Sequence, residues 1–94
     1  MGIDPDPKIN FEVFKKTIAG EIDSADSLDE IKARLKSQQV VESVELADYL
    51  LKSNPPQRDF IVEFKTDDGV KTTKIVNVYD LGNQKFKLNQ LRNE

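Results

Sequence analysis

The chain contains neither cysteine nor histidine, and these two absences remove much of the usual chemistry of enzyme sites. Without cysteine, disulfides, thiolate nucleophiles and cysteine-ligated metals are excluded. Without histidine, the Ser-His-Asp and Cys-His nucleophile systems and the common zinc and iron ligand sets are excluded as well. Because only carboxylates, lysine, tyrosine and backbone groups remain for chemistry, we expect no catalytic residue, no metal site and no cofactor.

Glycine-rich loops and long apolar runs are also missing. The four glycines are Gly2, Gly20, Gly69 and Gly82, and no two of them have the spacing of a nucleotide-binding loop. No apolar run approaches the roughly 18 residues of a membrane span. The formal net charge of −3 opposes non-specific binding to nucleic acid, which requires a basic surface. We therefore expect neither a membrane span nor a nucleic-acid partner.

The chain does contain enough hydrophobic sequence for one small core. Its 94 residues, of which 37% are hydrophobic, suit a single domain and are too few for two cores. Residues 1–9 carry two prolines and little to bury, so we interpret them as a flexible tail or a cloning remnant. Residues 10–94 then form one α+β domain. An export signal or lipid anchor upstream of Ile3 is compatible with this start, and the sequence leaves localisation open.

A first amphipathic helix is predicted close to the N-terminus. Asn10 is a suitable N-cap. Apolar residues follow at intervals of three and four, the spacing that places side chains on one helix face: Phe11, Phe14, Ile18 and Ile22. We predict a helix from about residue 11 to residue 20, with Gly20 as its stop and Ile22 as its furthest extent.

A second helix has the clearer start. Ser27 and Glu30 fit a capping box, in which the Ser27 side chain accepts from the Glu30 N–H and the Glu30 carboxylate accepts from the Ser27 N–H. Leu28, Ile31 and Leu35 then form the buried stripe, and the helix is predicted to end near residue 37.

Acidic residues cluster around the start of this second helix, at Glu21, Asp23, Asp26, Asp29 and Glu30. A calcium loop places oxygen ligands at every second position and uses a glycine for its sharp turn. Here the aspartates are three residues apart and no glycine lies between them. We interpret Asp26, Asp29 and Glu30 as residues of the helix N-terminus, because negative charge is favoured there.

Residues 40–51 fit two different periodicities. A strand would place Val40, Val44, Leu46 and Leu50 on one face, and a helix would group Val40, Val44, Ala47 and Leu51. We favour a strand. A loop follows over residues 53–58, because Pro55 lacks an N–H and restricts Asn54 to extended geometry.

The rest of the chain alternates between apolar and polar residues, as half-buried strands do. Three strands are predicted, at residues 60–65, 70–79 and 85–89. Asp68-Gly69 and Gly82-Asn83 mark the turns between them.

The predicted order is therefore α-α-β-β-β-β. Two helices and one apolar sheet face indicate an α+β fold in which both N-terminal helices pack on one face of a four-stranded antiparallel meander. The predicted core consists of Phe11, Phe14, Ile18, Leu28, Ile31, Leu35, Phe60, Val62, Phe64, Val76, Val78, Phe86 and Leu88.

The outer face of this sheet is the surface on which we predict binding. Alternation directs the following residues outward: Ile61, Glu63, Lys65, Ile75, Asn77, Tyr79, Lys85 and Lys87. Exposed apolar anchors with polar groups around them are typical of interface cores. Our predicted binding residues are therefore Ile61, Lys65, Ile75, Tyr79, Lys85 and Lys87.

The missing catalytic residues and this outer face favour a non-enzymatic binding or accessory domain. We expect its partner to be another protein or a second copy of the chain, bound through the exposed sheet face or an edge strand. The alternative is a small-ligand domain with an apolar pocket between helices and sheet, beneath Tyr49 and the loop at residues 55–56. A hydrolase using a carboxylate pair is less favoured, because 17 acidic residues make the proximity of any two uninformative.

Overall fold

The computed structural model describes residues 10–65 and 72–93 and confirms the predicted fold class. Two helices precede four strands that form one antiparallel sheet in the order β1-β2-β3-β4. The elements are α1 Phe11–Asp23, α2 Leu28–Lys36, β1 Val41–Leu46, β2 Gln57–Phe64, β3 Thr72–Gly82 and β4 Lys85–Asn93. Within the described residues neither helix has the length and apolar character needed to cross a bilayer.

Helix α1 begins where the sequence predicts and ends later. The Asn10 side chain accepts hydrogen bonds from the backbone N–H groups of Glu12 and Val13, at 3.1 and 3.2 Å. Gly20 does not stop the helix, which continues to Asp23. The continuation buries Ile22, only 1% exposed, and thereby extends the apolar stripe by one turn.

Gly20 therefore lies inside a helix, at an exposed position that does not require glycine. Its φ is not in the left-handed region, and a Cβ at this position would have no heavy atom within 4 Å outside the local helix backbone. We expect Gly20→Ala to raise the free energy of unfolding by about 0.5–1 kcal/mol, because alanine loses less backbone entropy on folding. Urea titration would measure the change. Gly82→Ala is the matched control and should destabilise the protein, because Gly82 has a φ of +77°. A Gly20→Ala variant less stable than the wild type would contradict the prediction.

Helix α2 starts with the predicted cap, in a modified form. The Ser27 hydroxyl accepts from the Glu30 N–H at 3.1 Å, as expected. The Glu30 carboxylate accepts from the backbone N–H of Asp26 rather than that of Ser27. Arg34 donates to Glu30 at 2.7 Å and to Glu21 at 2.8 Å, so one guanidinium joins α2 to α1.

Residues 41–46 form a strand, which confirms that part of the prediction for residues 40–51. Val41 and Val44 are both buried although they are three residues apart. The register explains this spacing, because it shifts between Val41 and Ser43 and leaves Glu42 as a bulge. After Leu46 the chain leaves regular pairing and rejoins β2 through a single bridge between Leu51 and Gln57.

The helices and the inner face of the sheet enclose the core. Ten of the thirteen predicted core residues are buried, and the other three, Phe11, Leu28 and Leu88, are partly buried against the cluster. Ile22, Ala25, Val41 and Val44 also belong to it. Asn83 and Gln84 both have positive φ at the turn between β3 and β4. The predicted Asp68-Gly69 turn lies outside the described residues.

Candidate functional site

The strand register brings the predicted binding residues onto one face. Ile61 of β2 lies opposite Ile75 of β3, and Tyr79 of β3 lies opposite Lys87 of β4. Lys85 begins β4, and Lys65 directly follows the last residue of β2. Both helices pack on the other side of the sheet, against the apolar residues of the inner face. The predicted residues therefore belong to the outer face, spread over three neighbouring strands.

Their exposure differs from the expectation at one position. Lys65, Lys85 and Lys87 are exposed, and Ile61 and Tyr79 are half-buried. Ile75 retains only 9% of its surface, so the prediction that it is an exposed anchor is wrong. The reason is its central strand, because Ile75 has Ile61 opposite on one neighbouring strand and Arg92 opposite on the other.

A buried polar cluster occupies the centre of this outer face. Asp59 and Asn77 lie opposite each other on β2 and β3, and both are completely buried. The Asn77 amide donates to Asp59 Oδ1 at 2.6 Å, and its own oxygen accepts from the Asn89 amide at 2.8 Å. Asn89 is the additional residue of a bulge in β4, since Asn77 pairs with Gln90 and Val78 pairs with Leu88.

Two longer side chains complete the cluster from outside β2 and β3. The Arg92 guanidinium donates to Asp59 Oδ2 at 2.6 Å, and the Tyr49 hydroxyl donates to the same oxygen at 2.7 Å. A buried carboxylate is costly unless its charge is paired and its oxygens accept hydrogen bonds. Asp59 meets both conditions, with an ion pair and two further donors. We call Asp59, Asn77, Asn89, Arg92 and Tyr49 the polar cluster.

The surroundings of Asp59 favour its charged form. Burial alone would raise the pKa of this carboxyl group, but hydrogen bonds from Arg92, Asn77 and Tyr49 together hold the pKa below its ordinary value. The same contact acts in the opposite direction on Tyr49, whose pKa is raised because its hydroxyl donates to a carboxylate. The polar cluster therefore contains a charged aspartate and a neutral tyrosine at neutral pH.

The lowered pKa of Asp59 predicts a loss of stability in acid. A carboxyl group whose pKa is lower in the folded state contributes stability above its unfolded pKa of about 3.9. That contribution is lost as the pH falls through the lower pKa of the folded protein. The stability difference between wild type and Asp59→Asn should therefore shrink as the pH falls below about 4. Urea titrations of both proteins at several pH values would measure it, and a difference independent of pH would contradict the prediction.

The predicted binding residues did not include the polar cluster, although the sequence holds a weak signal for it. Asp59 and Asn77 stand at outward positions in the two central strands, where aspartate and asparagine are unfavourable. Such residues in a central strand need partners. The sequence does not identify those partners, because Asn77 and Arg92 lie 18 and 33 residues from Asp59.

Two surface depressions lie away from the outer face. One, of about 270 Å³, runs beside α1 and is lined by Val13, Phe14 and the segment 38–40. The other, of about 600 Å³, lies between the start of α2 and the turn at residues 82–84, and Arg58 lines it. Among the described residues, no group of three or more acidic side chains is arranged to hold a metal ion.

Comparison with known proteins gives no family and no functional assignment for this chain. No family model, curated protein or solved structure matches the chain. Any functional proposal therefore depends on the geometry of the chain itself.

Proposed function

We propose that this chain is a non-enzymatic protein-interaction domain that contacts its partner through the outer face of its sheet. The observation that carries the proposal is a sheet face with apolar groups around a hydrogen-bonded polar centre. Tyr49 is 43% exposed while its hydroxyl is held by Asp59, and the half-buried Tyr79 and Ile61 lie on the strands beside it. A tyrosine that is held in place by its own hydrogen bond, as Tyr49 is, loses little entropy on binding.

The charges around these side chains support the same proposal. Lys65, Lys85 and Lys87 are exposed, as is Glu45, which lies opposite Ile61 on β1. Interface cores are apolar and aromatic, and their rims are polar and charged. The outer face combines both features on a sheet whose backbone is fixed by ladder hydrogen bonds.

The interior packing favours this proposal over a small-ligand domain. The layer between helices and sheet contains side chains with no exposure, among them Ile18, Ile31, Leu35, Phe60 and Val62. Tyr49, expected to cover a pocket in that layer, instead reaches Asp59 on the outer face.

Photo-crosslinking at position 79 tests the proposal. A benzophenone amino acid would replace Tyr79 in cells of the source organism, and the matched control would carry it at Val13, which is 57% exposed on the helical layer. We expect a discrete adduct from position 79 that is absent from position 13. Tyr79→Ser should abolish capture by a second probe placed at Ile61 while leaving the circular dichroism spectrum unchanged. Equal adducts from positions 79 and 13, or none from either, would refute the proposal.

A further inference from the structure

We infer that the outer edge of β4 binds an extended segment of a partner protein in which acidic and apolar residues alternate, added to the sheet as a fifth strand. This inference goes beyond the proposed function, because it concerns the edge of the sheet and not its outer face. The observation behind it is an edge strand with unbonded backbone groups, positive charge on one side and partly exposed leucines on the other.

The two edges of the sheet differ in how far their backbone groups are already bonded. β1 has six residues and a bulge at Glu42, whose carbonyl oxygen accepts a hydrogen bond from Lys36 of α2. β4 has nine residues, and in the described part of the chain its backbone bonds only to β3. The other side of β4 therefore presents N–H and C=O groups to which an extended chain can bond.

The inner side of β4 offers apolar contacts to an added strand. Helix α1 packs against β4, and α2 packs against β1. Leu88 and Leu91 contact the core but remain partly exposed, because the described sheet ends at their strand. Successive side chains of a strand point to opposite faces, so every second residue of an added strand would lie beside these leucines. Those residues of the partner should be apolar.

The outer side of the same strand offers positive charge. Lys85 and Lys87 are exposed and form no ion pair within residues 10–65 and 72–93. Both precede the bulge at Asn89, in a stretch where the side chains of β4 alternate regularly. Residues of an added strand that lie opposite the two lysines share their face, and acidic side chains there would form cross-strand ion pairs. Arg92 is not available in this way, because it is already paired with Asp59.

The acidic residues closest to this edge lie on its inner side. Glu21 of α1 reaches across to α2, so the opposite flank of the helix, at about 100° per residue, carries Glu12, Lys15 and Asp23. Asp80 lies opposite Phe86, also on the inner side. The sheet separates these charges from the outer side, where the acidic side chains of the partner would meet the lysines.

A second copy of the chain fits this edge less well than an acidic segment does. β4 contains three cations and no carboxylate, so pairing β4 with itself would leave Lys85 and Lys87 without acidic partners in any register. Lysines on an edge strand oppose self-pairing for this reason. β1 of a second copy carries Glu42 and Glu45, but its bulge and the bond from Lys36 obstruct that edge.

A blocked hexapeptide of three Glu-Val repeats is the probe for this edge. Six residues at about 3.3 Å each span roughly 20 Å, which covers most of β4. A contact of this size is smaller than a standard interface, so we expect a dissociation constant on the order of 10⁻⁴ M at low ionic strength. In a ¹H–¹⁵N NMR titration of the full chain, the amide shifts should concentrate in residues 85–93. The corresponding Lys-Val hexapeptide should bind at least about tenfold more weakly.

Charge reversal in β4 tests the proposed ion pairs. Lys87→Glu should weaken binding of the Glu-Val peptide at least about fivefold and strengthen binding of the Lys-Val peptide, because it replaces an attractive cross-strand pair by a repulsive one. Lys32→Glu makes the same change at an exposed position of α2 and should leave both affinities unaltered. Equal weakening by the two variants would overturn the inference, because only net charge would then matter.

N-methylation of the peptide tests strand addition itself. The N–H groups of successive residues in a strand point to opposite edges, so methylating the three glutamates blocks one edge of the peptide and methylating the three valines blocks the other. One of these two peptides should bind like the parent and the other should not. Equal binding by both, shifts confined to the outer face, or no shift at about 2 mM peptide would overturn the inference. The crosslink at position 79 tests the outer face separately, so failure at the β4 edge leaves the proposed function standing.

Discussion

Replacing Asp59 with alanine should lower the free energy of unfolding by about 3 kcal/mol, although Asp59 lies outside the hydrophobic core. Removing one partner of a buried ion pair typically costs about 3–5 kcal/mol, because the other charge stays buried without compensation. We expect a loss at the lower end of this range, because the Arg92 side chain is 35% exposed and can turn towards water. Asn77 has no such freedom, because it is completely buried and loses its acceptor.

Thermal and urea unfolding would measure this loss. For a domain of this size, about 3 kcal/mol corresponds to a fall of roughly 10–20 °C in Tm. Asp48→Ala removes an exposed aspartate from the neighbouring segment and should change the stability by less than about 0.5 kcal/mol. Asp59→Asn keeps the shape of the side chain and provides a variant that folds if the alanine variant does not.

A double-mutant cycle would separate the ion pair from the rest of the cluster. If Asp59 and Arg92 act together, the combined Asp59→Ala and Arg92→Met variant should lose less stability than the two single variants added. A coupling of about 0.5–3 kcal/mol is expected for residues in one network. A loss below about 1 kcal/mol for Asp59→Ala would show that the cluster contributes little to stability.

The starts of both helices could be predicted because their signals are local. Asn10 and Ser27 cap helices through backbone groups two or three residues away, and the residues involved can be read within one short window. The end of α1 was predicted less well, because Gly20 is compatible with a helix interior when Ile22 gains burial in the core. Tertiary packing outweighed the local preference there.

The ambiguity of residues 40–51 has a structural cause. In a regular strand the buried positions are two apart, and Val41 and Val44 are three apart, as they would be in a helix. The bulge at Glu42 resolves this conflict, because it inserts one residue and returns Val44 to the core face. Leu88 and Leu91 show the same spacing across the bulge at Asn89. A sequence pattern that alternates every two residues does not predict where a bulge occurs.

The polar cluster could not be assembled from the sequence, because its members come from different strands. Alternation correctly places Asn77 at an outward position, where a polar residue is expected to meet water. The structure buries it instead, because Asp59 and Asn89 surround it with hydrogen-bonding groups. The near burial of Ile75 could not be predicted for the same reason. Its neighbours on both sides are defined only by the strand register.

Truncating Phe64 to alanine should lower the free energy of unfolding by about 3–5 kcal/mol. Phe64 is 3% exposed at the end of β2 and contacts two rings of α1. Its centroid lies 5.2 Å from that of Phe11, at an interplanar angle of 88°, and 5.1 Å from that of Phe14, at 78°. Edge-to-face pairs of this kind add about 0.5–1.5 kcal/mol each to the free energy of burial.

Phe64→Leu distinguishes the ring contacts from the volume that the side chain fills. Leucine keeps most of the apolar volume and loses the edge-to-face geometry, so it should cost about 1–2 kcal/mol, well below the alanine variant. Equal losses in the two variants would show that the aromatic geometry, and not the volume, determines the stability of this contact.

The position of Phe64 also predicts where the damage should appear first. Its ring contacts the first turn of α1, and Lys74 lies over the Phe11 ring at 4.6 Å, so three aromatic side chains and one cation attach this end of the helix to the sheet. In Phe64→Ala, hydrogen exchange of the α1 amides near Phe14 should accelerate more than that of the α2 amides, whose burial depends on Ile31 and Leu35. Equal acceleration in both helices would mean that α1 does not open separately, and that the domain unfolds only as one cooperative unit.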